Sequence, residues 1–158
     1  MTAVSTVVLV AALIAAGLLA GLFYAYACSV MPGLARGDDR TYVEAMRGIN
    51  LAIINPVFML TFLGAPLAAG AAVVLHLAPD ARPALPWVVA GFALLLAMLV
   101  ITGVVNVPLN NALESGTGDY AGLRARFETR WVRWNLVRAV VSTGAFGCLV
   151  VALLARRG

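Results

Sequence analysis

The stretch RFETRWVRWNLVRAVV, residues 126–141, carries arginines at 126, 130, 133 and 138 with two tryptophans and an asparagine among them, and no charge follows Arg138 until past Ala155. Arginine is a permanent cation whose planar fork pairs with phosphate, carboxylate or a phenolate oxygen. At about 100° per residue, Arg126, Arg130 and Arg133 fall within about 60° of one another. Phe127, Trp131, Trp134 and Arg138 form a separate stripe. One face suits the phosphates of lipid head groups. The other is aromatic and leads Arg138 into the apolar run. An ionisable residue in such a run marks a functional site by default, although an arginine one turn deep also reaches lipid phosphate by snorkelling.

Other polar residues gather at the same depth. Tyr24 and Tyr26 stand near the end of the first apolar segment, and Asn50 and Asn55 at the start of the second. Asn106, Asn110 and Asn111 close the third, while Trp131, Trp134 and Asn135 open the fourth. Hydrogen-bonding groups thus converge on one mouth, and the opposite half is nearly all Ala, Val, Leu and Gly. In hydrocarbon an unpaired polar group costs several kcal/mol, so this convergence calls for partners. Asn106 and Asn110 share a helical face with Pro108 between them. Their amides either repair a helix bent by proline or contact a ligand. Asn55-Pro56 reads either as an N-cap followed by a first-turn proline or as a second contact. Arg138 is expected to pair with Asn106 or Tyr24.

The elements that position these groups are four apolar spans at about 4–31, 51–77, 86–109 and 135–155. Of 158 residues 63% are hydrophobic and 11% charged. Mean hydropathy is +0.97, and residues 1–35 hold no charge. About 20 apolar residues cross a bilayer. The expected fold is all-α: a single integral membrane domain, an antiparallel four-helix transmembrane bundle. Loop one is predicted to carry a short interfacial helix from Asp38 or Asp39 to about Arg47, and loop three a second over 119–133. Gly17 and Gly21 continue to Ala25 and Ser29 at the same spacing, a small-residue ridge that allows close helix approach and homo-oligomer contact. Loops one and three hold seven arginines against Arg82, Arg156 and Arg157 on the other side. The positive-inside rule then puts those loops in the cytoplasm and both termini outside, in a bacterial plasma membrane.

Several chemistries find no residues. All eleven basic residues are arginine and the net charge is +4, but they flank apolar spans, which points to anionic lipid rather than nucleic acid. Cys28 and Cys148 have no metal or redox spacing and lie at depths differing by on the order of 10 Å. AYAC at 25–28 faintly resembles a lipoprotein cleavage site, but the positive n-region is missing. His76, the only histidine, is expected at the interface far from the polar mouth. The acids are Glu44 and Glu128 at the mouth and Glu114 and Asp119 in the outer loop. No metal cluster, Ser-His-Asp set or phosphate loop is present.

NPVFMLTFLGAP, NVPLNNAL and RFETRWVRWNLVRAV, on four spans of about this length, resemble the anthrone oxygenase-like membrane proteins, many of which are filed only as a domain of unknown function. The most specific parts are Asn-x-Pro-x-Asn at 106–110 and Trp-x-x-Trp-Asn-x-x-Arg at 131–138. The resemblance implies oxidation of a polycyclic phenolic anthrone by dioxygen as co-substrate, with no metal or flavin. By position it points to Asn106, Asn110, Trp134, Asn135 and Arg138.

Together these readings make Arg138, Asn106, Asn110 and Asn135 the candidate catalytic residues, Arg138 stabilising a phenolate. Tyr24, Tyr26, Asn50, Asn55, Trp131 and Trp134 are the candidate substrate contacts, with aromatic rings sandwiching a flat hydrophobic small molecule. The general base is unidentified. The competing reading is a non-catalytic lipid- or small-molecule-binding bundle, or an accessory subunit. An enclosed cavity beneath the mouth favours the first, and a solid interior the second.

Overall fold

A computed structural model describes residues 3–155. The arginines at 156 and 157 counted for topology lie outside that range. The chain is helical throughout, with no strand among the described residues. Four helices are long and apolar enough to cross a membrane, as an integral membrane protein requires: α1 (Ala3–Leu34), α3 (Pro56–Leu75), α4 (Arg82–Ser115) and α5 (Tyr120–Leu154). A shorter helix, α2 (Asp39–Ala52), follows α1.

The local signals explain most boundaries. Asp38 caps α2, its carboxylate accepting from the Thr41 amide at 2.7 Å and satisfying one of the amides that a helix start leaves open. Asn55 caps α3, accepting from the Phe58 amide at 3.0 Å, with Pro56 in the first turn. The second span therefore starts at Pro56 rather than 51, and residues up to Ala52 belong to α2. Helix α5 corrects a larger expectation. A separate helix over 119–133 is absent, because 120–154 form one unbroken helix. No glycine or proline interrupts 123–143, and the Arg124–Glu128 pair supports the first turns. At about 1.5 Å per residue α5 is ~52 Å long, well over the ~30 Å of hydrocarbon.

Two helices contain a wider turn. In α1 residues Tyr26–Val30 and in α4 residues Thr102–Asn106 are wound as π-helix, each ending two residues before a proline, Pro32 and Pro108. A proline ring clashes with the carbonyl four residues back and supplies no donor. Widening the preceding turn relieves the clash, so α4 runs on to Ser115 instead of stopping near 109.

The spans pack as a ring, α1 between α3 and α5, and α4 between the same two. Gly17 of α1 meets Phe146 of α5, while Phe23 meets Asn135 and Arg138. Residue numbers thus rise along one helix as they fall along the other. Gly91 of α4 lies against Leu149 and Gly144 of α5 against Leu94, in the same sense. The inside is built from small residues, with Ala12, Ala16, Ala65, Ala69 and Ala145 fully buried, while Leu60, Leu67 and Val140 stand exposed outside. This is the arrangement expected where lipid replaces water, since close backbone approach then supplies the attraction. Gly17 of the ridge is thereby used inside the chain, while Gly21 meets nothing.

A second, smaller core joins the loop-one and loop-three ends. Tyr42, Val43 and Met46 of α2 pack on Leu113, Phe127 and Trp131. Two arginines staple it. Arg47 donates to the Leu113 carbonyl at 2.8 and 3.0 Å and to that of Gly116. Arg124 donates to the carbonyls of Ala35 and Gly37 at 3.0 Å and pairs with Asp39 at 3.1 Å. Counted from sequence as cytoplasmic charges, both are bound to protein oxygens.

Candidate functional site

Between the two cores lies a cavity of about 450 Å³. Helix α1 brings Phe23 and Tyr26 to it, α2 brings Asn50, and α3 brings Phe58 and Phe62. Helix α4 contributes Asn110, Asn111 and Glu114, and α5 contributes Trp131, Asn135 and Arg138. The apolar walls outweigh the polar groups, as in small-molecule sites generally. Leu51 and Ile54, on the rim, are 78% and 73% exposed.

Arg138 is 6% exposed. Its Nη2 donates to Asn135 Oδ1 at 3.0 Å, and Asn135 Nδ2 donates to the Phe23 carbonyl at 3.0 Å. The guanidinium lies 4.4 Å from the centre of the Phe23 ring and 5.3 Å from that of Trp131, within the range of cation–π attraction. Its Nε is buried without a partner. Among the described residues no carboxylate pairs with it. The expected pairing with Asn106 or Tyr24 is replaced by Asn135, which sits one turn away on the same helix. Trp131 donates from Nε1 to Asn110 Oδ1 at 2.8 Å, and its ring meets Tyr26 at 5.8 Å.

The structure brings together six of the ten residues singled out from sequence: Tyr26, Asn50, Asn110, Trp131, Asn135 and Arg138 all line the cavity. Four stand elsewhere. Tyr24 is 63% exposed. Trp134 is half-buried and outside the lining, because the buried stripe of α5 runs 127, 131, 135, 138. Asn55 serves as the cap of α3, and its Nδ2 also donates to the Ala52 carbonyl at 2.9 Å. Asn106 is 1% exposed with neither amide atom partnered, so its side chain does not repair the bend before Pro108. Asn50 Nδ2 is likewise buried and unpartnered.

Sequence reasoning missed Phe23, Phe58, Phe62 and Glu114. Phe58 and Phe62 stack at 5.2 Å, and their spacing of four was available as a signal. Glu114 stands four residues beyond Asn110 on the same face of α4, so helical spacing carries it to the cavity from its expected place in a loop. The acids assigned to the mouth are engaged. Glu44 accepts from Arg40 at 2.8 Å and from the Tyr120 hydroxyl at 3.2 Å, and the Arg40 bond holds its carboxyl below the usual range. Glu128 accepts from Arg124 at 2.7 Å. Burial pushes the Tyr42 hydroxyl above its ordinary value, beneath the Arg124 guanidinium at 4.6 Å. His76, expected at the interface, is fully buried; its Nδ1 lies 2.7 Å from the Ala72 carbonyl. It is the C-cap of α3, its own amide donating to the carbonyl of Ala72. Both cysteines are free. Among the described residues no three of His, Cys, Asp and Glu gather as metal ligands.

The arrangement is a buried cation, backed by an amide and two aromatic faces, beside an apolar chamber with a polar rim. It can hold a flat hydrophobic molecule and favour negative charge on an oxygen placed near Arg138. A family model described as anthrone oxygenase matches residues 57–148, more than half of the chain. The matched stretch contains the contributions of α4 and α5 to the cavity through Arg138. No curated protein and no solved structure matches the chain.

Proposed function

Because this chain belongs to the anthrone oxygenase family, we propose that it is a membrane-embedded oxidoreductase that oxidises a hydrophobic, polycyclic phenolic substrate with dioxygen as co-substrate. The single observation that carries this reading is the Arg138 guanidinium, buried beside the cavity with neutral partners only. A cation in that setting lacks a counter-charge, and a phenolate supplies one. An anthrone that loses a proton becomes electron-rich enough to reduce dioxygen directly, so the protein's tasks are to stabilise the anion and to exclude water. Phe23, Tyr26 and Trp131 supply faces for a flat ring. Asn50 and Asn110 present amides to its oxygens.

In this reading the spans form an antiparallel four-helix bundle in the bilayer, with α2 and the first turns of α5 at the interface. Loops one and three face the cytoplasm and the termini face outward. Arg126, Arg130 and Arg133, all exposed, grip lipid head groups. A greasy substrate then reaches the chamber from the bilayer past Leu51 and Ile54.

The test is ligand retention and turnover in detergent for three variants, with anthrone as substrate and anthraquinone as ligand. Arg138→Met is expected to insert normally yet lose binding or turnover. Arg138→Lys rescues poorly, since a lysine offers a compact point charge instead of a fork. Arg130→Gln changes little beyond lipid preference. An Arg138→Met variant that binds and turns over like wild type overturns the reading. A supported binding result with no oxidation by any variant, wild type included, would favour the non-catalytic bundle.

A further inference from the structure

We propose that Glu114 is the general base of this site: its carboxylate takes the proton from the acidic C–H of the bound substrate while Arg138 holds the oxygen that becomes negative. The proposal rests on the oxygenase reading above and names a group that it lacks. Proton abstraction needs an acceptor, and the other polar groups of the cavity are poor ones. Arginine is a permanent cation, asparagine amides do not titrate, and neutral tyrosine and tryptophan are donors. Glu114 is the only carboxylate lining the chamber among the described residues.

Of the other acids at this end, Asp119 makes no side-chain cap and lies outside the lining, and the rest are committed. Glu44 and Glu128 are bound to Arg40 and Arg124, Asp39 also pairs with Arg124, and Asp38 caps α2. No hydrogen bond or ion pair engages Glu114 among the described residues. Its place also suits a base that must turn over. Val107, Asn110, Asn111 and Glu114 follow one face of α4 to the chamber. Glu114 stands about 6 Å beyond Asn110 along the axis. It is exposed, so its carboxyl exchanges protons with water between turnovers, whereas Arg138 is buried. Arg47 clamps the carbonyls of Leu113 and Gly116 on either side of it, which holds the last turn of α4 in place.

The steps balance with dioxygen as the oxidant. Glu114 takes a proton from the methylene opposite the anthrone carbonyl; the C–H pair stays on the substrate as the phenolate beside Arg138. The anion reduces dioxygen by one electron and the resulting radical pair joins, forming a C–O bond. The peroxide takes back the proton from Glu114. A second abstraction by Glu114 at the same carbon makes the new C=O as the O–O bond breaks. The departing hydroxide takes that proton, leaving one quinone and one water per dioxygen.

The experiment compares wild type, Glu114→Gln, Glu114→Asp and the control Glu44→Gln, each purified as the full chain in detergent. Two rates are read on anthrone: quinone formation in air, and exchange of the methylene hydrogens into D₂O without dioxygen. Anthraquinone binding, followed by tryptophan quenching, checks that the chamber survives. Glu114→Gln is expected to bind within about twofold of wild type and to lose about 100-fold or more in both rates. Formate should restore part of the loss. Glu114→Asp falls by about tenfold, and Glu44→Gln stays within about twofold. If Glu114→Gln exchanges and oxidises like wild type, Glu114 is not the base and the oxygenase reading stands. If wild type exchanges in a Glu114-dependent way yet forms no quinone in air, the base stands and the oxygenase reading falls. Wild type doing neither overturns both.

Discussion

Arg138, Asn135 and the Phe23 carbonyl form a short chain of bonds that fixes a cation under two aromatic rings. Truncating its middle member leaves both ends unpaired. Asn135→Ala is therefore expected to cost on the order of 1–3 kcal/mol, seen as a lower melting temperature in detergent. Trp131 and Asn110 make the complementary test, because they form a direct pair at 2.8 Å. Asn110→Leu strands the indole N–H and should destabilise by about 1–2 kcal/mol. Adding Trp131→Phe removes the stranded donor, so the double variant should melt closer to wild type than Asn110→Leu alone. Equal melting points for the two would mean that the pair contributes nothing. At this scale the residue types were legible: arginine, asparagine and tryptophan in apolar surroundings require partners. Which partner each takes was not. Trp134 and Tyr24 have the same chemistry as Trp131 and Tyr26, and only their angles about the helix axes separate them.

At the element scale, the π-wound turns of α1 and α4 set the facing of the residues that follow them. Each inserts an extra residue and shifts everything beyond it by about 100° about the axis. In α4 the shift falls just before Asn110 and Glu114. Deleting Gly103, where an added Cβ would meet no other helix within 4 Å, is expected to restore ordinary winding. It should keep the helical circular dichroism and abolish anthraquinone binding, since the polar face of α4 turns out of the chamber. Retained binding would show that the wide turn has no part in the site. Helix α2 has a pH-dependent start. The Thr41 amide holds the Asp38 carboxyl below its ordinary value of 3.8. A lowered carboxylate contributes stability above its unfolded pKa and loses it as pH falls through the folded value. Protection of the first-turn amides of α2, taken relative to their intrinsic exchange rates, should thus fall as the pH is taken below about 4, and Asp38→Asn should flatten that fall.

The whole molecule is a ring of four helices closed at one end by α2, and the closure depends on Arg47 and Arg124 binding backbone carbonyls from the far side of the chain. Arg47→Ala removes charged bonds to Leu113 and Gly116, an effect on the order of 2 kcal/mol. Hydrogen exchange should quicken in α2 and at the end of α4 while the core of α3 stays protected. Uniform quickening would mean that the two cores unfold as one unit. Orientation is checked by cysteine labelling after removal of Cys28 and Cys148. From outside, a probe at Gly158 should react and one at Gly118 should not. The reverse pattern would mean that arginines engaged inside the protein had biased the charge count.

Composition and hydrophobic run length determined on their own that four helices span a membrane, because in hydrocarbon the backbone must satisfy itself and a helix does so within one segment. Residue spacing also placed the polar groups at one end, since depth along a helix follows directly from position. Facing did not follow. The burial of His76, the choice of Trp131 over Trp134 for the chamber and the arrival of Glu114 there were decided by packing, whereas the i,i+4 pairs of Glu44 and Glu128 with Arg40 and Arg124 are local. Beyond such pairs, a carboxylate is free or bound according to what other segments bring within about 3 Å, and separations as long as Arg47 to Leu113 or Arg124 to Ala35 leave no period in the sequence from which to read it.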